Sequence, residues 1–177
     1  MRRWWPVGLL LLAVIVAGCG GGAGDVDTSA PRAETDSAPA PEPGTQVVRY
    51  QGIELTVPAA WPVHDLEAAP TTCVRFDVNA VYLGSPSPDM ECPAQAIGRA
   101  DAVLVEPGAG AGDRARNDLA NAPASEVNGL SIAVDSSRVI EHELVVAVPQ
   151  ASVTVTVSFS ENDSVAQQII ATMRAAR

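Results

Sequence analysis

Hydrophobic and polar positions divide this chain into three regimes. Residues Pro6 to Ala17 are uncharged and mostly apolar, behind a positive pair at Arg2 and Arg3. Residues 20–45, GGGAGDVDTSAPRAETDSAPAPEPGT, contain a single sizeable apolar side chain, Val26. From residue 46 onward short apolar runs recur, and most show the two-residue alternation of a strand. Val47 to Tyr50, Gln51-Gly52, and then Ile53, Leu55 and Val57 alternating with Glu54 and Thr56 predict a hairpin or a bent strand. Pro58-Ala59-Ala60-Trp61-Pro62 ends it. A strand is predicted over Thr72 to Val78, with Val74, Phe76 and Val78 on one face and Cys73, Arg75 and Asp77 on the other. Val81 to Leu83 continues or returns, and Ser85-Pro86-Ser87-Pro88 is loop. Ala102 to Val105 is a continuous apolar run of the kind found inside a sheet.

Pro107 to Gly112 breaks the chain, and residues 113–121 are predicted to form a short helix. Leu130 to Val134, Arg138 to Val148 and Ser152 to Phe159 predict consecutive antiparallel strands. In the last, Val153, Val155, Val157 and Phe159 alternate strictly with Thr154, Thr156 and Ser158, so the polar face is either wet or covered. Ser160 or Asp163 can cap a helix running to about Arg174. Val165, Ala166, Ile169, Ile170 and Met173 line one side of it at helical spacing. The fold class expected is α+β: a mainly antiparallel sheet with one or two packed helices, one of them C-terminal, behind a disordered N-terminal tether.

The N-terminal regime has the layout of a secretory signal, and Val16-Ala17-Gly18-Cys19 resembles the lipobox of bacterial lipoprotein signals. The family usually carries Leu where Val16 stands. The resemblance implies that residues 1–18 are a signal peptide and that Cys19 becomes the acylated first residue, carrying diacylglyceryl and fatty-acyl chains such as palmitate. The apolar run is short for a transmembrane span, which takes about 20 residues; an uncleaved anchor helix and an ordinary secretory signal are the alternatives. Two or more acyl chains tether stably where one does not. The expected setting is therefore the extracytoplasmic face of the cell membrane. Residues 19–45 cannot bury enough surface to offset their ordering entropy; they read as a disordered spacer with a reach of about 30 Å. Residues 46–177 are expected to form one globular domain.

Charge narrows the partners. The chain has no lysine and a formal net charge of −10. Without residues 1–18 it keeps nine arginines against 21 acidic residues, a charge of −12. That argues against nucleic acid as a partner and against electrostatic attraction to anionic lipid. The all-arginine basic set, with abundant Ala, Gly, Pro and Val, suggests a high-GC, actinobacterial source. Apart from Cys19, the cysteines form an even pair, Cys73 and Cys92, expected as a disulfide in an oxidising compartment. Two cysteines without nearby histidines do not make a zinc set, so no metal or other cofactor is expected.

Two further resemblances concern the folded part. Gly52-Ile53-Glu54-Leu55-Thr56-Val57-Pro58-Ala59-Ala60-Trp61, with a closing helix ending Ile-Ile-Ala-Thr-Met-Arg, is similar to lipoprotein domains of the PsbP/Mog1 type. That implies an α/β sandwich used for binding or assembly. Val57 to Val63, Thr71 to Asp77, Ala80 to Gly84, Cys92-Pro93-Ala94 and Val105-Glu106-Pro107 resemble a module of secreted actinobacterial proteins, spanning roughly residues 50–107. In some of those proteins it precedes a glycoside-hydrolase-like domain. This resemblance carries over no catalytic residue.

Candidate chemistry is sparse. His64, beside Asp65 and near Glu67, and His142, between Glu141 and Glu143, lack a partner set at metal-site spacing. There is no nucleophile elbow. Arg75 could read a carboxylate or phosphate, or could simply pair with Asp77. Trp61 could offer a stacking platform, or could plug one end of the sheet. The expected function is a membrane-anchored, non-enzymatic envelope module that binds an envelope protein or cell-wall component. A hydrolase of cell-wall glycans and a small-ligand-capturing lipoprotein are the alternatives.

Overall fold

The computed structural model describes residues 44–108, 120 and 122–177. Cys19, the signal segment, nearly all of the spacer and the predicted helix at 113–121 lie outside the described residues, apart from Gly44, Thr45 and Ala120.

The fold opens on a hairpin of β1 (Thr45–Tyr50) and β2 (Ile53–Pro58). Its two-residue turn, Gln51-Gly52, has φ of 46° and 81°. Positive φ at both turn positions matches the twist of paired strands, and glycine takes the second without steric cost. Two strands flanking β2 complete a small sheet, β1-β2-β10, where β10 is Arg174–Ala175.

The second sheet has seven strands among the described residues, in the order β3-β4-β5-β9-β8-β7-β6. These are β3 (Val63–Asp65), β4 (Val81–Leu83), β5 (Ala102–Pro107), β6 (Ala124–Val127), β7 (Leu130–Asp135), β8 (Glu143–Val148) and β9 (Val153–Ser158). From β5 through β6 every neighbour is antiparallel, whereas β3, β4 and β5 run parallel. The continuous apolar run predicted to lie inside a sheet is β5, with β4 and β9 on its two sides.

One apolar cluster joins the small sheet, one face of the large sheet and the single described α-helix. Ile53, Leu55 and Val57 of β2 meet Val103 and Val105 of β5 and Val153, Val155 and Val157 of β9 there. The alternate residues of β9, Thr154, Thr156 and Ser158, are buried as well, so the polar face is covered rather than wet. Helix α1 (Ser164–Thr172) contributes Ala166, Ile169 and Ile170 to the cluster, followed by Met173. Asn162, rather than Asp163, supplies the N-terminal side-chain bond: its Oδ1 accepts from the Ser164 backbone N–H at 3.1 Å.

Three expectations need correction. Residues 72–78 form no strand; they run as an irregular segment bent at 76–78. The strand expected from Arg138 begins only at Glu143, because Ser137–Glu141 form a 3-10 turn. The Asp135 carboxylate starts that turn by accepting from the Ser137 N–H at 2.8 Å, and His142 closes it at φ 60°. The C-terminal helix stops at Thr172, where the chain becomes extended and Arg174–Ala175 pairs with β2. The helix end is fixed by Thr172 Oγ1, which donates to Ile169 O (2.7 Å) and accepts from the Thr56 N–H (2.9 Å). The short strands β3 and β6 went unpredicted, since neither carries an apolar alternation.

Candidate functional site

The segment between β3 and β5 holds the only side-chain constellation that joins a cavity, a disulfide and exposed cations among the described residues. It leaves β3 through a turn in which Asp65 Oδ1 accepts from the N–H of Glu67 (2.9 Å) and Ala68 (3.1 Å). Val74 and Phe76 then pack on Tyr82, Leu104, Leu66 and Ala80, the apolar patch on the far face of the large sheet. So the alternation across residues 74–76 buries a face against the sheet without joining its ladder. Burial pushes the Tyr82 hydroxyl above its ordinary pKa.

Three ties brace the segment. Cys73 and Cys92 form a disulfide with Cα atoms 4.9 Å apart. The Glu91 N–H donates to Thr71 O at 2.8 Å, and the Ala100 N–H donates to Phe76 O at 2.7 Å. Between the last two ties, residues 91–99 are all exposed. Ile97, in this stretch, is 85% exposed, against 41% for Val63 and 39% for Val139. Exposed apolar residues are common singly; one this bare, on a loop tied at both ends, is a contact candidate.

Beside Ile97 lies an open cavity of about 400 Å³, lined by both cysteines, Val74, Phe76, Arg75, Asp77, Ala96, Gly98 and Arg99. Arg75 grips Asp77 with two bonds, Nε to Oδ1 at 2.9 Å and Nη2 to Oδ2 at 2.6 Å. That guanidinium holds the Asp77 carboxyl below the usual carboxylate range, and Asp77 raises Arg75 in return. Arg99 stands 5.8 Å from the Phe76 ring centroid and pairs with Glu143 at 3.2 Å. Glu143 is held more closely by Arg138, at 2.7 Å. In each pair the acid lies beneath and the arginine above: side-chain exposure is 33% for Arg75 over 9% for Asp77, and 36% for Arg99 over 7% for Glu143. The rim of the cavity therefore presents guanidinium N–H groups, although the chain as a whole is strongly acidic.

The sequence-derived candidates fall as follows. Arg75 lines the cavity and is spent in part on Asp77. Cys73 and Cys92 form its covalent wall. Trp61 sits in the main core with 8% exposure, and Gln46 Nε2 donates to its backbone O at 2.6 Å; its ring has little surface to offer a ligand. His64 stacks on Tyr82, its register neighbour, with ring centroids 5.2 Å apart. His142 Nδ1 lies 2.7 Å from Ser160 O, with Phe159 beside the ring. Among the described residues no group of three His, Cys, Asp or Glu could hold a metal. The Arg75–Asp77 pair expected from the sequence is present, whereas Ile97 and Arg99 carried no expectation and Phe76 was placed only on a strand face. The available signal was Ile97 itself, the one large apolar side chain between Cys92 and Ala102.

Two other features lie apart from this cavity. A cleft of about 240 Å³ between β2 and α1 is lined by Val57, Pro58, Val165 and Ile169 with flanking threonines. On β5, Glu106 is buried opposite Thr154, and burial pushes its carboxyl above the usual range. Comparison with family models, curated proteins and solved structures finds no match to this chain.

Proposed function

We propose that this protein is a lipid-anchored module of the cell envelope, held at the extracytoplasmic membrane surface by Cys19, that binds an envelope protein through the braced segment at residues 73–99. Its work is binding rather than turnover. The observation that carries this reading is the combination at one place of a disulfide-tied loop, a bare Ile97 and an open cavity rimmed by Arg75 and Arg99. A loop tied at both ends loses little conformational entropy when a partner docks, which favours affinity. The Cys19 anchor and the spacer of residues 20–45 leave this face about 30 Å of reach from the membrane.

Two variants test the reading. Cys19→Ala shifts the protein from the membrane to the soluble or secreted fraction. Ile97→Asp keeps the protein in the membrane with an unchanged Tm but loses the envelope protein that co-purifies with the wild type. Persistent membrane fractionation of Cys19→Ala removes the tether from the account, and undiminished co-purification by Ile97→Asp removes the binding face.

A further inference from the structure

We infer that the group seated in the cavity is the side-chain carboxylate of an acidic residue on an apolar-flanked protein segment. This rests on the reading of residues 73–99 as the binding face and specifies its chemistry.

A guanidinium carries five N–H groups. Arg75 directs Nε and Nη2 at Asp77, which leaves Nη1. Arg99 directs Nη1 at Glu143, and its Nε and Nη2 have no partner among the described residues. Both side chains line one cavity and both are the outer member of their pair. An oxyanion entering there meets guanidinium donors that the paired acids leave unengaged; of those acids Asp77 lines the cavity floor and Glu143 lies outside the lining. Arg99 is additionally held over the Phe76 ring, which limits its freedom before binding.

Apolar surface decides between sources of that oxyanion. Val74, Phe76, Ala96 and the disulfide wall the cavity, and Ile97 projects beside it. Free phosphate has no use for these contacts. A lipid headgroup presents its phosphate with polar glycerol and ester groups beside it, and its acyl chains lie below the membrane surface, away from these walls. A peptide segment with a carboxylate between apolar side chains uses both features. Beyond about 8 Å the acidic surroundings are screened at physiological salt, so the local guanidinium rim governs the final contact.

The test uses the full-length chain in phosphatidylcholine nanodiscs, free of detergent, and fluorescence anisotropy of a labelled hexapeptide of alternating leucine and glutamate. Its leucine–glutamine counterpart is the control, and both peptides are amidated at the C-terminus. Inorganic phosphate and phosphatidylglycerol-containing vesicles are the competitors. The glutamate peptide binds about tenfold more tightly than the glutamine one, and neither competitor displaces it. Arg99→Gln abolishes that preference while Tm is unchanged, because Glu143 keeps Arg138. Arg99→Lys restores part of it. Equal binding of the two peptides, no binding of either, or displacement by phosphate or vesicles overturns the carboxylate assignment. Ile97→Asp separates the two levels. If it weakens both peptides equally while they do not differ from each other, the face stands and the carboxylate falls. If it leaves strong binding untouched, the face itself is wrong.

Discussion

Glu54 shows how an acidic position on the polar face of an alternating strand can be buried. It stands between Ile53 and Leu55 and is 2% exposed, yet it is flanked across the small sheet by its register partners Arg49 and Arg174. Arg49 Nε lies 2.8 Å from Oε2, and Arg174 Nε bonds Oε1. The cover is thin, two arginine side chains at the sheet surface, with Arg49 59% exposed, so solvent screening discounts the pair. The Arg174 hydrogen bond, more than the charges, holds the Glu54 carboxyl below its ordinary range. A group lowered in this way stabilises the fold above its ordinary pKa near 4.5, and loses that contribution as pH falls through the lower folded value. Asp77 acts in the same direction, and Glu106, raised by burial, acts in the opposite one. Glu54→Gln is therefore expected to cost about 2 kcal/mol at pH 7, a fall in Tm of about 8 °C. The gap between wild type and variant closes as the pH of the melt is taken below 4.5. A gap independent of pH would show that the loss is one of packing.

Among the elements, legibility followed periodicity. The β1–β2 hairpin, the buried run of β5, the strict alternation of β9 and the apolar stripe of the C-terminal helix each bury one consistent face, and each was readable in the sequence. β3, β6 and β10 carry no such pattern, and tertiary partners rather than local sequence make them strands. Arg174 joins β2 because Glu54 waits there, and Thr172 ends the helix by bonding back to Ile169. The segment at 72–78 failed for the opposite reason: it alternates, but the Cys73–Cys92 bond, the Ala100 tie and the Arg75–Asp77 grip hold it off the ladder. Of the candidate site, the cysteines and Arg75 were legible from residue type. So was the Arg75–Asp77 pair, two residues apart on one face; Ile97 and Arg99 were not, because only the fold brings residues 73–77 and 92–99 together. The disulfide spans a sequence separation of 19, for which the chain-entropy argument gives about 3 kcal/mol. Cys73→Ala/Cys92→Ala should thus unfold at distinctly lower urea concentration, with an m-value no smaller than that of the wild type because the freed unfolded chain expands. A midpoint equal to that of the wild type would mean that the backbone ties alone hold the segment.

At the scale of the whole molecule, one apolar cluster shared by two sheets and a helix supplies a rigid body, and the chemistry sits on its far side. The large sheet turns its inner face to that cluster. Its outer face, at the β4–β5 end, carries Tyr82 and Leu104, on which Val74 and Phe76 rest. The cavity and Ile97 are built on this platform, so the proposed contact surface is pre-formed rather than assembled on binding. A photo-crosslinking residue at position 97 of the full-length protein, activated in intact cells, tests this most directly. One discrete crosslinked protein is expected, lost on adding Arg75→Gln/Arg99→Gln and absent when the same group is placed at Gln168 on α1. Equal crosslinking from positions 97 and 168, or no crosslink from 97, would contradict it.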